Sequence, residues 1–175
     1  MTRLDPVGRD RPKRRRVVIT GMGAVTPLGN SMTDTWNGVV EGISVAGPIK
    51  RFDARAFPAQ MAYEVSNFIP NPRLLRSEDT AFVTDVSIFA LNAAAEAMVQ
   101  AGIGLDGEPK DRFAVCYGVG LPCPEPQWYD RVYLPRKLDD ESVFRHIRFF
   151  PDQMSSLLGR LFGAGGGIST VHTAC

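Results

Sequence analysis

The sequence predicts an α/β fold with a largely parallel sheet, and three observations carry that expectation. Two short apolar runs rich in β-branched residues, "RVVIT" (Arg16–Thr20) and "RFAVCYGVG" (Arg112–Gly120), read as strands buried on both faces. Between them, Glu78 to Ala101 carries the strongest helical periodicity in the chain, with Phe82, Val86, Phe89, Ala93 and Ala97 recurring at spacings of three and four. A further helix and a final strand then repeat the alternation, and strands that alternate with helices build parallel sheets.

Residues 1–13 are a polar, basic tail, read as a solvated lead-in to the first strand. After that strand, "GMGAVTPLGN" is a glycine- and proline-rich turn. "SMTDTWNGVVEG" reads as a helix with Thr33 as N-cap, Trp36, Val39 and Val40 on one apolar face, and Gly42 as its stop. "RFDARAFPAQMAYEV" reads as extended, Met61, Tyr63 and Val65 alternating with Ala62 and Glu64. In the Glu78–Ala101 helix, Ala90, Ala93, Ala94, Ala95 and Ala97 permit another helix or a sheet to approach closely, and Gly102 ends it. Leu121 to Phe150, with Pro122, Pro124, Pro126 and Pro135, reads as a long excursion holding one short helix. "FFPDQMSSLLGRLFG" is again helical: Pro151 suits the first turn, Met154, Leu157, Leu158, Leu161 and Phe162 form an apolar stripe, and Gly163 suits the end. Past "GAGGG", the strand "ISTVHTA" runs into Cys175.

Composition narrows the function. Hydrophobic residues are 44% and charged residues 22% of 175, the balance of one soluble globular domain with a sizeable core. A net charge of +1 argues against a general nucleic-acid binder. No apolar run is long enough to span a bilayer, and the N-terminus lacks a signal-peptide stretch, so a cytoplasmic location is expected. Cys116, Cys123 and Cys175 are an odd number with no export signal, which favours reduced thiols over a disulfide framework.

Three motifs compete for chemistry. "GMGAVTPLG" supplies Gly21 and Gly23 of a dinucleotide fingerprint, but Thr26 stands where the third glycine belongs and only Glu41 offers the acidic residue. Metal binding lacks a ligand cluster: Cys116 and Cys123 are too widely spaced for a zinc knuckle, and the histidines are His146 and His172 alone. Cys175, after a strand and the small residues Thr173 and Ala174, has the approach of a nucleophile elbow; a buried structural cysteine fits the local pattern equally well. His172 lies three residues upstream, on the opposite face of the strand, and reads as a packed histidine rather than the base for Cys175.

"RRRVVITGMGAVTPLGNSMTDTWNGVVEGISVAG" resembles the opening of the β-ketoacyl-acyl carrier protein synthases of the condensing-enzyme family. "RFDARAFPAQMAYEVSNF", "LNAAAEAMVQAGI" and "FFPDQMSSLLGRLFGAGGGISTVHTAC" resemble, in order, its phenylalanine-aspartate segment, its alanine-rich helix and the approach to its nucleophilic cysteine. Two stretches depart from the pattern: "LPCPEP" follows the second strand, and "GGGIS" stands where the family has a stiffer Gly-Pro-Ser turn, a flexible replacement with an entropic cost. The resemblance implies a ketosynthase domain over residues 14–175, the N-terminal half of a thiolase-like α-β-α-β-α sandwich, with Cys175 as the acyl-accepting thiol.

It further implies a fatty-acid or polyketide condensing enzyme served by acyl carrier protein with phosphopantetheine-linked substrates. Such an enzyme is a homodimer or a ketosynthase-like heterodimer and needs no metal or organic cofactor. The family's histidines and lysine come after the cysteine, so these residues alone are expected to be inactive, to associate through uncovered apolar surface, and to hold Cys175 as an unactivated thiol beside its own carboxylate. The alternative is a non-catalytic subunit of the chain-length-factor kind; such subunits commonly lack the cysteine.

Overall fold

The computed structural model describes residues 16–75, 83–106, 110–120 and 151–172. The basic tail of residues 1–13 and the Leu121–Phe150 excursion lie outside them. Helix α1 spans Met32–Val40; its N-cap is Ser31, two residues before the expected Thr33, because the Ser31 hydroxyl accepts the Asp34 amide at 3.1 Å and donates to the Asp34 carboxylate at 2.7 Å. Two short antiparallel strands follow, β1 (Gly47–Pro48) and β2 (Met61–Ala62), so the expected extended stretch pairs only at Met61–Ala62. Helix α2 spans Asp85–Gln100, shorter at its start than the periodicity predicts, because the Thr84 hydroxyl accepts the Ser87 amide at 3.3 Å and caps it there. Strand β3 (Ala114–Val119), helix α3 (Pro151–Phe162) and strand β4 (Gly167–His172) follow among the described residues.

The three helices stop in one way. Gly42, Gly102 and Gly163 each take φ near +70°, and the next residue's amide (Ile43, Ile103, Ala164) reaches back to Gly38, Met98 and Gly159. A side chain at that left-handed position would be strained, so the three predicted stops are supported by backbone geometry.

Strands β3 and β4 pair in parallel, Ala114 opposite Gly167 through Val119 opposite His172. One core joins the apolar faces of α2 (Leu91, Ala95, Met98) and α3 (Met154, Leu158, Phe162), and Phe113, Val115 and Tyr117 pack against it. On the other face of β3, Ala114, Cys116 and Gly118 are exposed. The strand is therefore covered on one side among the described residues, not on both as expected. Its helical cover comes from one side only, and a parallel sheet is buried twice only where helices lie on both.

The first expected strand is the clearest departure. Arg16–Thr20 makes no ladder, and Val17 and Ile19 are 93% and 81% exposed. A β-branched run becomes a strand only when it pairs with another strand's edge, and Arg16–Thr20 pairs with none among the described residues. The α1 face of Trp36, Val39 and Val40 is likewise exposed, the helix being seated instead by Gly38 against Leu28. The turn before β4 is tighter than its glycines suggest. A Cβ at Gly166 would meet the Asp111 and Phe113 carbonyls at 2.9 Å, so the missing side chain permits a close backbone approach there.

Candidate functional site

Cys175 lies outside the described residues, as do Cys123 and His146. The structure does describe β4, the strand that precedes Cys175 in the sequence. Strand β4 is held on one edge by β3 and on one face by α3. Thr170 bonds Ser155 of α3 at 2.6 Å, and a Cβ at Gly159 would collide with Ile168, so helix and strand touch with no spacer between them. His172 ends β4. Cys116 is exposed on β3, opposite Ser169. Tyr117, on the inward face, has its phenol pushed above the ordinary value by burial.

The glycine loop has a different use from phosphate binding. A Cβ at Gly21 would land in the Ala97 carbonyl, and one at Gly23 in the Ala93 carbonyl. The loop thus lies directly on α2 at the small residues that predicted such an approach. Two of its amides are taken: Met22 N donates to Gln100 Oε1 at 2.6 Å and Ala24 N to Glu96 Oε2 at 3.0 Å. Glu96 also accepts the Met32 amide at 2.9 Å, at the first residue of α1, where the positive end of the helix dipole favours a carboxylate. A phosphate at this helix start would have to displace Glu96. Sequence reasoning missed Glu96 and Gln100. Their signal was available: two polar side chains four apart, on the alanine face that the glycines contact.

Two grooves flank α1. One is polar, with Asn30, Asp34, Asn37 and Asn67 in its lining; Asn30 Nδ2 donates to the Asn67 carbonyl at 3.2 Å. The other is apolar, between Met22, Met32, Trp36 and Val99. No helix among the described residues is long and apolar enough to cross a membrane.

Comparison with known proteins settles the family. The family model "Beta-ketoacyl synthase, N-terminal domain" matches residues 14–175. A 3-oxoacyl-[acyl-carrier-protein] synthase 2 of Coxiella burnetii is 40% identical over 110 residues, covering 62% of this chain and 26% of that protein. One from Staphylococcus aureus is 29% identical over 168 residues, 93% of this chain and 39% of that protein. The chain thus spans between 26% and 39% of the length of these relatives. Among solved structures, the ishigamide ketosynthase/chain length factor superposes with a TM-score of 0.69 at 26% identity, over 92% of this chain and 40% of that one. A β-ketoacyl synthase from Burkholderia phymatum superposes with a TM-score of 0.67 at 20% identity, over 91% of this chain and 39% of that one. The fold is that of the thiolase-like ketosynthases, as the family resemblance implied. The glycine loop and the helix after it, and the parallel β3–β4 pair, are therefore parts of a known architecture, and the chain belongs to the β-ketoacyl synthase family, through its N-terminal domain.

Proposed function

We propose that the protein is a β-ketoacyl-acyl carrier protein synthase of fatty-acid or polyketide type, with Cys175 as its acyl acceptor. Residues 14–175 are the N-terminal part of its ketosynthase domain, behind a basic tail of residues 1–13. The observation that carries this reading is β4, held parallel to β3 and against α3, with Thr173, Ala174 and Cys175 following it. The names of the relatives supply the substrate class. In the first half-reaction the Cys175 thiolate attacks the carbonyl carbon of an acyl thioester carried on the phosphopantetheine of acyl carrier protein. A bond to the Cys175 sulfur forms, the bond to the phosphopantetheine sulfur breaks, and that thiol departs with a proton. In the second, malonyl-carrier protein loses carbon dioxide. The carbanion so formed attacks the acyl-cysteine carbonyl, releasing the Cys175 thiolate and a 3-oxoacyl-carrier protein. Neither step calls for a metal or organic cofactor. A dimer in the cytoplasm, of two such chains or with a ketosynthase-like partner, is the working assembly.

The test is to incubate the full-length gene product with acyl-carrier protein and locate the acyl group by mass spectrometry. Acylation at Cys175, lost in Cys175→Ala, supports the reading; acylation elsewhere or none overturns it. The likeness to the ishigamide ketosynthase/chain length factor favours a second reading, a non-catalytic chain-length subunit, against which the presence of Cys175 counts. That reading predicts no acyl-Cys175 and co-purification with an active ketosynthase.

A further inference from the structure

We draw no further inference here: the strongest candidate, the apolar groove between the glycine loop, α1 and α2 lined by Met22, Met32, Trp36 and Val99, carries none, because nothing in the structure shows what covers it.

Discussion

Glu96 should be the most sensitive polar side chain of the N-terminal region, although it carries no chemistry. Its carboxylate joins three pieces of chain: the glycine loop at Ala24, the start of α1 at Met32, and α2 on which it sits. Glu96→Ala removes the acceptor for both amides, at 3.0 Å and 2.9 Å. Hydrogen bonds to a charged acceptor contribute about 1.5–3 kcal/mol each. These are part-buried, so water recovers some of the loss and the lower figure applies. Losing a negative charge at the start of α1 adds about 0.3–1 kcal/mol. The expected destabilisation is therefore about 3–4 kcal/mol for Glu96→Ala. Glu96→Gln keeps one oxygen but turns an amide group toward the other donor, and should cost about half as much. Urea unfolding of the full-length gene product measures this; with a slope of about 1–3 kcal/mol per molar, Glu96→Ala should lower the midpoint by at least about 1 M. Hydrogen exchange should quicken first at the Ala24 and Met32 amides. A Glu96→Ala variant within about 0.5 kcal/mol of wild type, or exchange at those two amides unchanged, would refute the reasoning.

Other outcomes follow from the same geometry. Gly23→Ala drives a methyl into the Ala93 carbonyl, so the loop must lift from α2 and about 3 kcal/mol of stability should be lost in the same urea assay. Because those glycines are packed and the Ala24 and Met32 amides are taken by Glu96, NAD and NADP should not bind at micromolar concentration. A calorimetric titration showing binding that Gly21→Val abolishes would contradict this. Burial raises the Tyr117 pKa above 10.0, so the folded state holds the phenol protonated while the unfolded chain ionises first. The stability this contributes is full below pH 10 and falls as pH rises through the folded pKa; Tyr117→Phe should flatten the decline of the unfolding midpoint above that pH. Residues 1–175 expressed by themselves should associate, since Val17 and Ile19 are 93% and 81% exposed and β3 is open on one face. Sedimentation velocity showing a single monomer at all concentrations would count against it.

What could be read from the sequence divides along the line between local and distant physics. Helix ends are local: a glycine at φ near +70° satisfies the last carbonyls within its own turn, and Gly42, Gly102 and Gly163 were all recognisable. The amphipathic stripe of α3 and the β-branched character of β4 are also local, and both elements stand where expected. Burial on both faces is not local. It depends on what lies opposite, and "RVVIT" has the composition of a core strand with no pairing partner among the described residues. The N-cap is Ser31 rather than Thr33 although the two are chemically interchangeable there, because Asp34 lies three residues after Ser31 and bonds it. The glycine loop shows the limit most plainly. G-x-G has two physical uses: to admit a phosphate or to admit a helix. Both need the same missing Cβ, so the choice rests on which residues wait on the far side. Thr26 in the third position argued against the phosphate. The alanines of α2 argued for the helix, but their partners were 70 or more residues away in sequence, as the Ala24–Glu96 separation of 72 shows. For the candidate site the same holds in reverse. Cys175 is a candidate only through family resemblance, whereas the Ser155–Thr170 bond between α3 and β4 is a pairing of two common residues, invisible until α3 is laid on β4.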